Sequence, residues 1–163
     1  MNGSGVGRLF NSPLEAGIRA VFILENLRPE AMDLNDLILL DYLVVHTADI
    51  GGPESLHPEI PNKEGELLVR RRLIENSLDL MHRCHLVERH LDERGVTFSA
   101  SDEARNFLEV METGYATRLK ERAHWLAETF LRLSADEFRR VVGEKVGAWS
   151  EAFTRATAGP TAN

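Results

Sequence analysis

Three consecutive arginines, Arg70–Arg72, stand inside an otherwise apolar helical segment of the chain. Arginine can contact the phosphates of nucleic acid, take part in a catalytic cluster, or form a buried ion pair with a carboxylate. Each use predicts a different kind of protein: a nucleic-acid-binding protein, an enzyme, or a protein in which arginine serves the fold. The side of the helix on which each arginine falls therefore decides what chemistry is available to it.

The segment Lys63–Arg83 is predicted to be a single helix, and the three arginines fall on different sides of it. At about 100° per residue, Arg70 lies in the apolar half, together with Glu66 one turn earlier. Arg72 lies in the opposite, polar half, and Arg71 lies at the boundary. We therefore expect Arg70 to face the interior of the fold and Arg72 to face solvent.

Asp41 is a carboxylate that could neutralise Arg70. It falls among the apolar residues of the preceding predicted helix. A buried charge without a partner is costly, so we predict that Arg70 pairs with Asp41, with Glu66, or with both. The alternative, which the sequence leaves open, is a polar patch that only a partner subunit covers.

A candidate exposed basic face of the same helix consists of Arg71, Arg72 and Arg83. Glu75 and Asp79 lie on that face too, so its positive excess is slight. The whole chain has a formal net charge of -7, whereas affinity for phosphates requires clustered positive charge. We therefore expect any contact with DNA to be at most indirect or weak.

Residues of the types that bind metals gather around the loop after the second predicted helix: His46, Asp49, His57 and Glu59. Their spacing matches no recognisable zinc or di-metal motif, and no serine stands in a nucleophile motif. We therefore expect no metal site, no cofactor and no catalytic constellation. Cys84 falls on the apolar arc of the third helix, where we expect it to be a small buried hydrophobic residue.

The same loop is better interpreted as a structural or interaction element. Its prolines stiffen it, so it can hold one conformation at low entropic cost. Its apolar tip could cap the core or dock a partner. The candidate partner-binding residues of the loop are Asp49, Pro53, Ser55, Leu56, His57 and Pro58.

The elements that position these residues are mainly helices. Ser12 is the predicted cap of a first helix, and Asp33 is the predicted cap of a second, nearly all-apolar helix. After the third helix, β-prone runs flank Arg94–Gly95, which predicts a hairpin. A helix from Ser101 to about Glu112 follows, and two amphipathic helices close the chain.

This order predicts a mainly α fold with a small β-hairpin wing, that is, a winged helix-turn-helix-like domain plus two C-terminal amphipathic helices. No apolar run is long enough to span a membrane, and no secretory signal is visible. A single cysteine excludes an internal disulfide, so we expect a cytoplasmic protein. The predicted organisation is a flexible tail at 1–10, the winged-helix-like domain at 11–113, a helical extension at 114–153 and a disordered tail at 154–163.

Three long segments of the chain resemble a known family. They are "FNSPLEAGIRAVFIL", "DLNDLILLDYLVVHTADIGGPESLHPEIP" and "GELLVRRRLIENSLDLMHRCHLVE". They are similar to the middle component of bacterial ABC-three-component conflict systems, and the resemblance extends over residues 10–130. The family's "SLHP" and "LLVRR" patches stand here at Ser55–Pro58 and Leu67–Arg71.

The resemblance implies a non-enzymatic, winged-helix-like adaptor that is encoded with an SMC-like ABC ATPase and an effector, often a nuclease. Lamassu-type anti-phage and anti-plasmid systems belong to this wider group. The adaptor would bridge ATPase and effector and hold the effector inactive until foreign DNA is sensed. Two other functions stay open from the residues alone: a winged-helix transcription regulator, and a small enzyme that uses the histidines of the loop. A homodimer formed through the wing or a helix is also compatible with the sequence.

Overall fold

A computed structural model describes residues 12–58, 63–93 and 95–146, with the backbone alone at 63–68, 135, 139 and 143–146. The fold is mainly helical and includes a small three-stranded antiparallel sheet. The helices are α1 (Pro13–Asn26), α2 (Leu34–Val45), a short 3-10 helix (Thr47–Ile50), α3 (Lys63–Arg83), α4 (Ala104–Glu109), α5 (Gly114–Arg132) and α6 (Ala135–Val146). The strands are β1 (Met32–Asp33), β2 (Val87–Asp92) and β3 (Gly95–Ala100). The tails predicted at 1–10 and 154–163 lie outside the described residues.

Capping side chains begin several of the helices. Ser12 Oγ accepts a hydrogen bond from the backbone N–H of Glu15 at 3.2 Å, at the start of α1. At the start of α6, Ser134 and Glu137 bond reciprocally, at 2.8 Å and 3.2 Å between side-chain oxygen and backbone nitrogen. These bonds satisfy N–H groups that have no partner within a helix, and each such cap typically stabilises a helix by about 1 kcal/mol.

The predicted hairpin is part of a three-stranded sheet. Strands β2 and β3 pair antiparallel, with Val87 opposite Ala100 at one end and Asp92 opposite Gly95 at the other. Strand β1 adds to the other side of β3, where Met32 lies opposite Phe98. The prediction of a two-stranded wing missed β1, because two residues are too short to show an alternating pattern and their pairing partner is distant in sequence.

The helix after the hairpin is shorter than predicted. It spans Ala104–Glu109, whereas the prediction ran from Ser101 to about Glu112. Ser101 does not begin the helix itself: its Oγ donates to the carbonyl of His85 at 2.7 Å and accepts from the N–H of Glu103 at 3.3 Å. The serine therefore links the end of the hairpin to the turn that follows α3.

Helix α2 lies at the centre of the molecule. All nine residues of Leu37–Val45 are buried, and the helix contacts α1, α3 and α5. This burial follows from a sequence that is apolar around almost the whole circumference of the helix. The one charged residue within that segment, Asp41, is therefore carried into the interior.

The two C-terminal helices contribute to the same core. Leu119 and Leu126 of α5 are buried against α1 and α2, and Phe138 and Val142 of α6 belong to the same cluster of buried residues. The rings of Phe130 and Phe138 meet edge to face with centroids 4.9 Å apart, which joins α5 to α6. Within the ranges given above, no helix combines the length and the apolar character needed to cross a membrane.

The expectation that Cys84 is buried is wrong, because its thiol side chain is exposed. The residue follows α3 in a turn, where its N–H donates to the carbonyl of Leu80 at 3.0 Å. The next residue, His85, has a positive φ of 62°. The helix ends at Arg83, one residue before Cys84. An apolar arc on a helical plot does not show that the core extends past the end of the helix.

Candidate functional site

Three charged side chains meet in the core and form a buried triad: Arg19 of α1, Asp41 of α2 and Arg70 of α3. Arg19 Nε lies 2.8 Å from Asp41 Oδ1, and Arg19 Nη2 lies 3.2 Å from Asp41 Oδ2. Arg70 Nη1 donates to the same Oδ2. None of the three residues is more than 3% exposed. Because each residue belongs to a different helix, the triad joins α1, α2 and α3 through one carboxylate.

The triad is held in its charged form by its own members. Burial alone would raise the pKa of Asp41, but the charges and hydrogen bonds of Arg19 and Arg70 outweigh it and keep that pKa below its usual value. Burial likewise opposes the charge on Arg19, but Asp41, together with Tyr115 and Glu15, outweighs it, so the pKa of Arg19 is raised. Two guanidiniums and one carboxylate leave the triad with a net charge of +1.

The structure places Arg70 in contact with Asp41, one of the two partners that the sequence offered it. The side chain of the other, Glu66, lies outside what the structure describes. Sequence reasoning missed Arg19. The signal was available, because "AGIRAVFIL" is apolar apart from Arg19, and an arginine in such a run needs a buried partner as much as Asp41 does.

Aromatic and polar side chains surround the triad. The guanidinium carbon of Arg70 lies 5.5 Å from the ring centroid of Tyr42, within the range of a cation–π contact. The ring of His46 stacks on Tyr42, with 4.4 Å between centroids. The hydroxyl of Tyr42 donates to Asp49 Oδ2 at 2.7 Å. These contacts extend the polar network from the triad to the 3-10 helix.

His57 connects this network to α5. Its Nε2 lies 2.9 Å from the hydroxyl oxygen of Tyr115. Burial, together with the nearby charges of Arg19 and His46, lowers the pKa of His57 to about 4. Burial also raises the pKa of Tyr115 above its usual value. At neutral pH the imidazole is therefore uncharged and the phenol is protonated, and both act as neutral hydrogen-bonding groups next to a positively charged triad.

Much of the predicted partner-binding loop is held by hydrogen bonds within the chain. Thr47 Oγ1 donates to the carbonyl of Pro53 at 2.7 Å, and Ser55 Oγ accepts from the N–H of Ala48 at 3.2 Å. The N–H of Leu56 donates to the carbonyl of Val45 at 3.0 Å. The loop thus folds back onto the end of α2.

Helix α5 holds the other side of the loop. Arg122 donates twice to the carbonyl of Glu54, from Nε at 3.1 Å and from Nη2 at 2.9 Å. Gly52 lies so close to Trp125 that a Cβ on the glycine would come within 2.5 Å of the indole. Of the residues predicted to bind a partner, Pro58 is exposed, whereas Ser55, Leu56 and His57 are partly buried. Partner binding by this loop stays a prediction.

The predicted basic face of α3 carries acidic partners. Arg71 Nε lies 3.5 Å from Glu75 Oε1, and Arg83 Nε lies 3.4 Å from Asp79 Oδ2. Arg72 is exposed. The positive charge on this face is therefore largely balanced on the helix itself.

Residues of the types that bind metals do not form a metal site in the part of the chain that the structure describes. Among those residues no group of three or more His, Cys, Asp or Glu side chains is arranged to hold a metal ion. His46 and His57 do come close, with ring centroids 6.2 Å apart, but they meet edge to face within the aromatic network. Glu59, which completed the predicted set of ligand types, lies outside the described residues.

Comparison with known proteins gives a single result. The family described as ABC-three component (ABC-3C) system Middle Component 2 matches residues 9–152, which include every helix and strand described above. The comparison with curated proteins and the comparison with solved structures each gave no match. The family match spans most of the chain, and the chain therefore belongs to the Middle Component 2 family of ABC-three component systems.

Proposed function

We propose that this protein is a non-catalytic adaptor that binds an SMC-like ABC ATPase and an effector subunit, and that the complex acts against phages or plasmids in the cytoplasm. The observation that carries the proposal is the family match over residues 9–152, because a middle component of a three-component system has protein partners. A Lamassu-like complex with a nuclease effector is the specific form that we propose.

The distribution of charge supports a protein-binding role. Arg19 and Arg70 pair with Asp41 inside the fold, away from the surface. The partly exposed Arg71 and the exposed Arg83 each have a carboxylate nearby. The chain carries a formal net charge of -7. A surface of this kind has little attraction for phosphates and leaves polar and apolar groups available for protein partners.

A winged-helix transcription regulator is the second candidate, and the order of the elements favours it. A helix, a short strand, two further helices and a hairpin follow one another, and β1 pairs with β3. We propose that this part of the chain is a winged-helix variant. In a DNA-binding member α3 would enter the major groove, and the acidic partners of its arginines argue against that use here.

Co-expression with the products of the two neighbouring genes tests the adaptor function. We expect one complex that contains all three proteins and that survives size-exclusion chromatography. The matched control is the same experiment with either neighbour omitted, which tells whether the adaptor contacts each partner directly. A chain that elutes alone while both partners are present and soluble would contradict the proposal.

A phage-protection assay tests the non-catalytic part of the proposal. Glutamine at both His46 and His57 removes the imidazoles but keeps hydrogen-bonding groups of similar size. We expect cells that carry this variant to keep their protection, provided that the variant is present at the normal level and still assembles with its partners. Loss of protection by a variant that still folds and still assembles with its partners would favour an enzyme.

A further inference from the structure

A cavity of about 350 Å³ opens between α1, α5 and the segment that joins α4 to α5. Its walls are mostly apolar and include Ile18, Phe22, Met111 and Leu119. Cavities that bind small organic groups begin at roughly this volume, and they combine apolar walls with a few polar groups that fix the orientation of the ligand. The polar groups of this cavity therefore indicate what it can bind.

Glu15 supplies an unused hydrogen-bond acceptor in the wall of the cavity. Its Oε2 is buried and has no hydrogen-bond partner among the described residues. Burial raises the pKa of Glu15, and the charge of Arg19 one turn later partly opposes this. A buried acceptor without a donor destabilises a protein. A group that enters the cavity with a donor would remove this penalty.

The cost of burying a charge in the cavity limits the kind of donor. Arg19 also lines the cavity, and it belongs to a triad whose net charge is +1. The carboxylate of Glu15 offsets this charge. An ammonium or guanidinium group would also lose its hydration among the apolar walls, whereas an uncharged N–H would lose far less. An apolar group that carries a single uncharged N–H therefore suits both the walls and the electrostatics.

Exposed apolar side chains stand at the positions next to the cavity. Leu14 is 55% exposed and precedes Ile18 by four residues, so the two lie on one face of α1. Val110, the residue before Met111, is 75% exposed. Apolar residues around a pocket are typical of a protein interface in which one side chain is inserted and its neighbours exclude water.

We propose that this cavity receives a tryptophan side chain of a partner protein, whose indole N–H donates to the carboxylate of Glu15. Indole is large and apolar and carries one uncharged donor and no acceptor. This inference rests on the proposed adaptor function, because it assigns a contact between the adaptor and one of its partners.

Free indole tests the chemistry of the cavity on the purified full-length chain. Indene is the matched control ligand, since it has nearly the same shape and lacks the N–H. We expect isothermal titration calorimetry to show indole binding at least tenfold more tightly than indene, as the loss of one hydrogen bond to a charged group implies. Equal affinities, or no binding of indole, overturn the proposal.

Two substitutions, the first with a matched control, locate the binding. Ala116→Leu places a larger side chain in the wall of the cavity, and we expect it to abolish indole binding; Thr117→Leu, at an exposed position on the same helix, should leave it unchanged. Glu15→Leu should remove the preference for indole over indene. Because Glu15 is only partly buried, we expect Glu15→Leu to fold. It therefore still tests the proposal if Ala116→Leu fails to fold. Tighter binding of indole after deletion of residues 1–10 would show that the chain's own N-terminus occupies the cavity, and would overturn the proposal.

Assembly assays with both partners distinguish a failure of this inference from a failure of the proposed adaptor function. We expect Ala116→Leu to weaken assembly at least tenfold, and Thr117→Leu to leave it unchanged. A complex that assembles normally with Ala116→Leu overturns the cavity as a partner site and retains the adaptor. Absence of any complex with the unmodified chain overturns the adaptor function itself, whereas discrimination between indole and indene would still support a donor-selective cavity.

Discussion

Asp41 pairs with two buried arginines through one carboxylate. Both of its oxygens accept hydrogen bonds, from Arg19 on one side and from Arg19 and Arg70 on the other. A buried ion pair stabilises a fold little compared with an apolar replacement of both partners, but removal of one partner leaves an uncompensated charge. The three members of the triad are therefore expected to differ in their sensitivity to substitution, according to the charge that each substitution leaves behind.

Asp41→Asn should be more destabilising than Arg70→Met. The asparagine leaves two buried guanidiniums and a net charge of +2, and we expect the free energy of unfolding to fall by about 3–5 kcal/mol. The methionine leaves the neutral pair of Arg19 and Asp41, so the loss should be smaller. Urea denaturation measures both changes. Asp79→Asn, at an exposed ion pair, is the control and should change the free energy of unfolding by less than about 1 kcal/mol. If Arg70→Met lowers the free energy of unfolding as much as Asp41→Asn does, this account is wrong.

His57 should make the stability of the protein depend on pH between its folded pKa of about 4 and its ordinary value of 6.5. In this interval the unfolded chain binds a proton that the folded chain excludes, so stability is full above pH 6.5 and falls as the pH drops toward 4. The ring is partly exposed, and we therefore expect a loss of only roughly 1–2 kcal/mol. The difference between the wild type and His57→Gln, followed by urea denaturation from pH 7 to 4, isolates this residue from other acid-sensitive groups. Parallel pH profiles for the two proteins would show that His57 does not contribute.

At the scale of the elements, α5 and the loop after α2 depend on each other. Arg122 binds a carbonyl of the loop, and Tyr115 bonds to His57. Close packing occurs at Gly52, where the backbone of the loop lies against Trp125. The stiff loop is thereby held against a helix that is distant in sequence.

Gly52→Ala should separate the loop from α5. The new Cβ would lie 2.5 Å from the ring of Trp125 and 2.9 Å from the carbonyl oxygen of Thr47. Overpacking of this kind typically destabilises a protein by about 1–3 kcal/mol. Gly114→Ala is the matched control, since a Cβ there meets nothing within 4 Å, and it should be neutral or slightly stabilising. Thermal denaturation followed by circular dichroism measures both; equal melting temperatures for the two variants would contradict the close packing.

The accuracy of the sequence predictions also differed between elements. The bounds of α3 are those predicted, because its length and periodicity are local properties of the chain. The helix before α5 was predicted too long, because Ser101 bonds to His85 across the hairpin instead of capping a helix. Strand β1 was missed because it exists only through its pairing with β3. The bounds of an element were predictable when the interactions that define it lie within its own segment of the chain.

At the scale of the whole molecule, the acidic chain should bind DNA weakly. Electrostatic binding to DNA is strongest at low salt and weakens with a slope that reflects the number of phosphates contacted. We expect fluorescence anisotropy at low salt to show no tight binding of duplex DNA to the purified chain. Arg72→Ala, which removes an exposed positive charge from α3, should therefore change little. Strong binding with a steep dependence on salt, abolished by Arg72→Ala, would favour the transcription regulator.

Local residue order was enough to predict which segments are helical, that α2 is buried, and that the charges of Asp41 and Arg70 need partners. Periodicity and the cost of an unpaired buried charge can both be judged from it. The packing of the helices shows in addition that Arg19 is the second partner of Asp41, that the loop lies against α5, and that Glu15 lines an apolar cavity. These facts depend on helices that are far apart in the chain. The geometry that brings them together is a property of packing, and no single segment contains it.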